Sequence, residues 1–338
     1  MNIVVVGAGK VGQTLSAQLA QENYNVTIID TDAVVLNRLV NIYDVMGVEG
    51  NGANYDVQKE AGVTHADLLI ATTDSDEINM IACLVAKKLG AAHTIARVRN
   101  PEYEKQLRFM RRELGLTMAI NPEKEAAREM ARVLRLMGAS KVEAFSKGRI
   151  ELIEHHVAAE SPLCGMKLME LSKSLRVQVL ICAVLRGGQV VIPSGDFTLQ
   201  ADDAVYLTAA PQTLELFFRR LGILKRRARS VMIVGASTTA YYLTNALLET
   251  GMNIKVIDQN EERCQHFAEM APNVLVVHGD GTDPDLLDEE GIRETDAFVA
   301  LTDIDETNIL MSMKVAQAGV DKVVTKVNRH SLRELVAQ

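Results

Sequence analysis

One stretch of this chain occurs twice, and that repeat restricts the fold more than any single residue does. Asn2 to Asp30 reads as strand, glycine turn, helix, strand, and Ser230 to Asp258 reads the same way. Gly7 returns as Gly235 and Asp30 as Asp258, each 228 positions later. Gly50-Asn51-Gly52 returns as Gly279-Asp280-Gly281, and Thr73-Asp74-Ser75-Asp76-Glu77-Ile78-Asn79 as Thr302-Asp303-Ile304-Asp305-Glu306-Thr307-Asn308, both 229 positions on. Arg97-Val98-Arg99 aligns with Lys326-Val327-Asn328. A single inserted residue over so long an alignment marks an internal duplication.

Each copy alternates apolar strands with helices, the pattern of a parallel sheet with right-handed crossovers. In the first copy strands are expected at Ile3–Val6, Val26–Asp30, Val45–Val48, Leu68–Ala71 and Ile95–Val98, and helices near Lys10, Ala33, Asn54, Asp76 and Pro101. A sixth strand, Thr117–Ile120, leads into a long helix that opens on Pro122, where proline's missing N–H costs nothing. Between the copies the rhythm changes to alternating strands, Ile150–Val157, Val177–Leu185 and Ala204–Thr208. A turn at Arg186-Gly187-Gly188-Gln189 and a helix from Pro211 to Leu221 complete the segment. It reads as a small α+β module. The basic run Lys225-Arg226-Arg227-Ala228-Arg229 reads as a solvated linker or as a contact for an acidic partner surface. The second copy is expected to be cut short at Gln338, just inside the helix that opens on Pro101 in the first.

Composition agrees with this fold class. Apolar residues make up 48% of the 338 and tryptophan is absent, so the core is aliphatic, as buried parallel strands require. The net charge of −8 argues against nucleic acid as a partner. No apolar run approaches a membrane span, and Ile3–Val6 is too short for a signal peptide. Cys83, Cys164, Cys182 and Cys264 show no C-x-x-C spacing and read as reduced thiols in a cytoplasmic protein.

The chemistry concentrates at Gly7-Ala8-Gly9-Lys10-Val11-Gly12, which follows a strand and opens a helix. Gly7 permits a tight turn, Gly9 lets backbone approach a pyrophosphate, and Gly12 allows close helix–strand packing. The phosphates would meet free N–H groups at the positive helix end. Asp30, ending the next strand, would accept the ribose hydroxyls and repel a 2′-phosphate, favouring NAD over NADP. Thr72, Thr73 and Asp74 end the fourth strand on the edge where doubly wound sheets bind ligands. Asp74 and Asp76 serve either as caps of the next helix or as ligand contacts. Arg97 and Arg99 end the fifth strand, where an arginine reaches phosphates or a partner subunit's charges. In the second copy Ser237 and Ala240 replace the second and third glycines, and a Cβ at Ser237 obstructs pyrophosphate approach.

Other patterns carry less. Tyr55-x-x-x-Lys59 matches short-chain dehydrogenase catalysis but follows the third strand, too early in the chain. His155 and His156 are strand neighbours that point to opposite faces, so they cannot chelate one metal together. No residue is placed for acid–base chemistry beside a nicotinamide, and neither catalytic nor metal-binding residues are expected.

The order G-A-G-x-V-G, V-x-G-N-G, T-x-D-x-x-N and A-R-V-R-N-P-E-Y, then a small α+β module and a second Rossmann copy, resembles the TrkA family. These are regulatory proteins of bacterial and archaeal Trk potassium uptake systems, built from RCK (KTN) domains. The resemblance covers the whole chain. It implies an α/β architecture of tandem Rossmann-like RCK N-lobes at 1–138 and 225–338, with an α+β TrkA-C lobe at 139–224 between them. It also implies a non-enzymatic homo-oligomeric gating ring, cytoplasmic and peripheral on the inner face of the membrane, docked on a potassium-translocating subunit. NAD(H) or ATP/ADP would shift the ring's conformation. Carried over by position, Gly7, Gly9, Lys10, Val11 and Gly12 would line the phosphates, Asp30 would take the ribose, and Thr72, Thr73 and Asp74 would border the ligand. Arg97 would reach phosphate, and Glu123 would lie at the ligand or inter-subunit edge. The degenerate second glycine turn and the absent second C-lobe depart from the family pattern. An NAD-dependent dehydrogenase with residues 141–221 as substrate domain, and a nucleotide sensor without a channel, are the rival expectations.

Overall fold

The computed structural model describes residues 1–135, 141–145, 150–222, 228–329 and 332. The chain divides into two compact units, Met1–Glu125 and Ala126–Gln338. The boundaries expected at 138/139 and 224/225 lie outside the described residues, as do 225–227 of the basic run and the helix expected after Arg329.

The first unit is a Rossmann sheet. In chain order it holds β1 (Asn2–Val6), α1 (Lys10–Gln21), β2 (Asn25–Asp30), α2 (Ala33–Ile42), β3 (Met46–Glu49) and α3 (Tyr55–Glu60). Then come β4 (Leu68–Ala71), α4 (Asp76–Leu89), β5 (His93–Arg97), α5 (Pro101–Leu114), β6 (Met118–Ile120) and the start of α6 (Pro122–Arg135). The strands pair in parallel in the order β3-β2-β1-β4-β5-β6. Between β3 and β4 the chain crosses from the β3 edge to the far side of β1, which opens a crevice at the strands' carboxyl ends. Successive β1 side chains serve opposite faces: Ile3 and Val5 join one apolar cluster with Ile28 and Leu39, Val4 and Val6 the other with Leu69 and Ala82. Burying each such side chain contributes roughly 1.5–3 kcal/mol, so a strand buried on both faces anchors the lobe. Burial pushes the Cys83 thiol in this core up to about 12, so it is no nucleophile.

The second unit opens with the rest of α6. Ala127, Met130, Ala131 and Leu134, spaced for one helix face, pack with Leu243 and Leu247 of the second Rossmann lobe. Arg132 and Arg135 both pair with the buried Glu151. An antiparallel sheet follows, built from β7 (Lys141–Phe145), β8 (Ile150–His156), β9 (Leu180–Arg186), β10 (Gln189–Val191) and β11 (Ala204–Ala209), in the order β10-β9-β11-β8-β7. Helices α7 (Leu168–Leu175) and α8 (Pro211–Arg220) pack against it through Leu171, Leu214, Phe217 and Phe218. The β9–β10 hairpin turns on Gly187 and Gly188, at φ +55° and +80°, the signs a two-residue turn needs. His155 is buried edge-on against Phe218 while the next residue, His156, is exposed, so the two do face opposite sides.

The second Rossmann lobe comprises β12 (Ser230–Val234), α9 (Thr238–Leu248), β13 (Asn253–Asp258), α10 (Glu261–Met270), β14 (Leu275–His278), α11 (Pro284–Glu289), β15 (Ala297–Ala300), α12 (Asp305–Gln317) and β16 (Lys322–Thr325). Among the described residues its parallel order, β14-β13-β12-β15-β16, repeats the order β3-β2-β1-β4-β5 of the first lobe.

Candidate functional site

The glycine turn separates its three glycines by what each is for. Gly7 sits at φ +99°, and a Cβ there would come within 2.9 Å of the Thr73 amide nitrogen. A Cβ on Gly12 would stand 1.8 Å from the Gly7 carbonyl oxygen. The fold itself therefore requires glycine at both positions. Gly9 is different: its φ is −68° and a Cβ would meet nothing within 4 Å. It lines an open cleft of about 250 Å³. As the residue before α1 it offers no side-chain cap, and the first turn of that helix carries no acidic residue. The positive helix end is left for an anion.

Asp30 also lines the cleft. Its Oδ2 accepts from the Ala8 amide at 2.5 Å and its Oδ1 from the Asp32 amide at 2.9 Å. The expected ribose ligand thus also ties the glycine turn to the end of β2, and each oxygen keeps a lone pair for a hydroxyl.

The acidic turn after β4 is organised by Asn79, which is fully buried. Asn79 Oδ1 accepts from the amide and the hydroxyl of Thr73, both at 2.8 Å. Its Nδ2 donates to the carbonyls of Thr73 and Arg97. One side chain thereby joins the ends of β4 and β5. The Thr72 hydroxyl stands 3.3 Å from the carbonyls of Val6 and Gly7. The cap expected from Asp74 or Asp76 is supplied by Ser75, whose Oγ accepts from the Ile78 amide. Asp76 instead points inward and accepts from the amides of Arg99 and Asn100 at 2.7 Å. Asp74 is exposed and lines the cleft beside Thr72 and Thr73. On α4, Glu77 is held down to about 2, chiefly by the Tyr103 hydroxyl that donates to it at 2.6 Å.

The cleft therefore gathers Gly7, Gly9, Asp30, Thr72, Thr73 and Asp74. Lys10 and Val11 are exposed on α1 outside its lining, and Gly12 is buried beneath the turn. Arg97, expected to reach phosphate, does not line it: Glu123, at the start of α6, takes its guanidinium. Opposite charges at adjoining ends of β5 and α6 find each other before any ligand is considered. Residues the sequence reading left out are Val6, Ile29, Thr31, Asn51 and Ile78, with Gly50 and Gly52. The glycine pair was visible as a repeat. A Cβ at Gly52 would come within 2.0 Å of Val6 Cγ1, so β1 can reach the cleft floor only if that position is bare.

The equivalent crevice of the second lobe, about 320 Å³, is lined by Gly235, Ser237, Asp258, Arg263, Asp280 and Asp303 among others. Asp258, Asn308 and Asp305 repeat the contacts of Asp30, Asn79 and Asp76: Asp258 accepts from Ala236, Asn308 holds Thr302 and Lys326, and Asp305 accepts from Asn328 and Arg329.

The TrkA-N domain family model matches residues 3–122 and again 231–338, and the TrkA-C domain model matches 152–222. The chain is 34% identical over 340 aligned residues to the Trk system potassium uptake protein TrkA of Vibrio alginolyticus, covering 99% of this chain and 74% of that protein. It is 36% identical over 339 residues to the protein of the same name from Halomonas elongata, with the same coverage. Among solved structures, the GsuK channel bound to NAD shares the fold at a TM-score of 0.66 and 20% identity, over 99% of this chain and 63% of that one. With the TrkA-N pattern in both Rossmann lobes, the TrkA-C pattern between them and relatives alike along nearly its whole length, the chain belongs to the TrkA family.

Proposed function

We propose that this chain is a nucleotide-binding regulatory subunit of a Trk-type potassium uptake system, taking NAD(H) or ATP/ADP in its first Rossmann lobe. The observation that carries this is Gly9, the glycine of the turn that the fold does not need and that borders the cleft. In this reading the helix end at Gly9 and Lys10 receives the phosphates and Asp30 the ribose, with Thr72, Thr73 and Asp74 along the ligand's border. Arg97 acts indirectly, through Glu123. The kinship with proteins named for Trk potassium uptake and the fold shared with a channel solved with NAD support it. A ligand held here biases a homo-oligomeric ring only by binding its conformations unequally. In this reading the pore belongs to a separate membrane subunit, with this chain peripheral on its cytoplasmic side; the names of its relatives support this.

No turnover is expected. The cleft lining holds no His, Lys, Tyr or Cys, and Asp30, which would accept the ribose hydroxyls, already accepts from two backbone amides. Titration calorimetry with NADH on the whole chain and on Gly9→Ala tests the site. Affinity should collapse in the variant while its unfolding midpoint stays put, and equal affinities would remove the assignment. Potassium flux through a reconstituted Trk membrane subunit, with and without this chain and across nucleotides, tests the regulation. Flux indifferent to both would sink it.

A further inference from the structure

The second Rossmann lobe holds a further cavity, of about 210 Å³, between α11, the turn Ile292–Glu294 and α12. Thr282 and Met311 also border the crevice at the strands' carboxyl ends, and the rest of the lining is the cavity's own. Its floor is Leu287, Ile292, Met311 and Val315, all members of one buried apolar cluster. Its rim is polar: Asp288, Arg293 and Lys314 are exposed.

The first lobe has the corresponding helices and a different arrangement. Gln58, at the position of Leu287, is fully buried and donates to the carbonyls of Gly52 and Ala82 at 2.6 and 2.8 Å. Ala82 stands at the position of Met311, so one side chain ties α3 to α4. Leu287 has no donor for such a bond. Val85 and Thr64 stand at the positions of Lys314 and Arg293, and the first lobe's lysines, Lys59 and Lys88, at those of Asp288 and Gln317. The fold therefore does not require an apolar floor at this place. The rim of the second lobe is arranged for an anion. Asp288 holds Arg293, accepting from its Nε and Nη2 at 3.0 and 3.2 Å, and a guanidinium has further N–H donors to give. The Lys314 ammonium has no partner among the described residues. Two cations against one carboxylate leave a single net positive charge, which suits a monoanionic head and not a polyphosphate.

We infer that this cavity binds a small amphipathic carboxylate, its hydrocarbon part on the apolar floor and its carboxylate shared by Lys314 and Arg293. A carboxylate accepts charge-assisted hydrogen bonds from both cations, and covering the floor removes apolar surface from water. An apolar lining with a few convergent polar groups is the usual make-up of a small-molecule site. The cavity is smaller than the roughly 300–1,000 Å³ that drug-sized ligands fill, so the hydrocarbon chain is short. Such a site is separate from the first-lobe cleft, and neither depends on the other.

Titration calorimetry of the whole chain with the sodium salts of butanoate, hexanoate, octanoate and decanoate tests this. Affinity should rise by up to about fourfold per methylene and level off before decanoate, once the cavity is full. Octanol, which lacks the charge, should bind at least about fivefold more weakly than octanoate. Lys314→Gln should weaken octanoate by about fivefold or more. Ala318→Leu, which puts a larger side chain into the lining, should abolish binding. Both replacements are good helix formers at positions outside the core. Unfolding midpoints matching wild type would separate a lost site from a lost fold. Gly9→Ala should leave octanoate binding as it is. No heat with any of the acids, octanol equal to octanoate, an affinity still climbing at decanoate, or indifference to either α12 variant would each overturn the proposal. So would an Ala318→Leu chain that changes its oligomeric state, because the cavity would then receive a partner's side chain.

Discussion

Aligned residue by residue, the two Rossmann lobes keep one set of contacts and abandon another. Both tie the acid at the end of the second strand to the glycine turn, through Asp30 to Ala8 and Asp258 to Ala236. Both lock the end of the fourth strand with a buried asparagine, Asn79 or Asn308, and both turn an aspartate inward onto two backbone amides. What differs is the turn. Gly12 is crowded to 1.8 Å by the Gly7 carbonyl, whereas Ala240 is fully buried in its place. The second turn makes room because the Gly235 carbonyl swings to accept from the Ser237 amide at 2.9 Å. The asparagine and aspartate contacts therefore belong to the fold. Only Gly9, replaced by a helix cap in the second lobe, stands apart from it. A motif shared by two copies is informative at the position where one copy can do without it.

The comparison is broken most forcefully at Gly12. Gly12→Ala should destabilise the first lobe by about 3 kcal/mol or more, since the obstacle is backbone and cannot step aside. Ala240→Gly in the second lobe should cost only about 1 kcal/mol. Urea unfolding of both variants checks this, and similar losses would show that the two turns are not built differently after all.

Next in size is Asp305→Asn, expected to cost about 2 kcal/mol because an amide N–H would face the Asn328 and Arg329 amides. Burial acts to raise the Asp305 pKa, but those amides and the side chains of Asn328 and Arg329 outweigh it and hold it below the usual value. A depressed folded pKa gives stability that is present above the unfolded value and lost as pH falls through the folded one. The gap between wild type and variant should therefore be full near neutral pH and close only below the ordinary carboxylate range. Unfolding midpoints across an acid series would show it, and a gap that widens in acid would refute the assignment.

Gly9→Ala should weaken NADH at least about tenfold, near 1.4 kcal/mol, while leaving unfolding unchanged. Asp30→Ala is a sharper probe than the sequence suggested. It should both weaken NADH, narrowing discrimination against NADPH, and loosen the turn at Ala8, visible as faster amide exchange there. Wild-type NADPH rejection in the variant would show that Asp30 does not read the ribose. Smallest is Ser237→Gly, a few tenths of a kcal/mol by calorimetric unfolding. A loss as large as that of Gly12→Ala would mean Ser237 is more than a cap.

Much of the fold was legible because a duplicated chain prints its own alignment. The strands of the first lobe fall within two residues of where alternation placed them. Three elements of the middle module were not foreseen. Of these β10 has three residues, too few for a period, and α7 has eight and begins after Lys167 with no side-chain cap. The strand β7 was the third. In the site, the glycines, Asp30 and the threonines were readable from local spacing. The Arg97–Glu123 pair was not, since its partners lie 26 residues apart and meet only because β5 ends beside the start of α6. Ser75 was passed over as a cap because two aspartates flank it. Propensity ranks all three residues alike, and only the burial of Asp76 decides among them.

The strand order has a consequence for how the chain is made. In each Rossmann lobe the first strand pairs centrally with one that arrives much later: Ile3 lies beside Leu68, and Val231 beside Ala297. Contacts so distant along the chain form slowly, whereas the β9–β10 hairpin closes over two residues. On a ribosome the first lobe completes its centre well before β12 emerges, but on dilution from denaturant both copies search at once. Two first strands of like apolar pattern then face two late strands of like pattern. Vectorial synthesis separates the two searches in time.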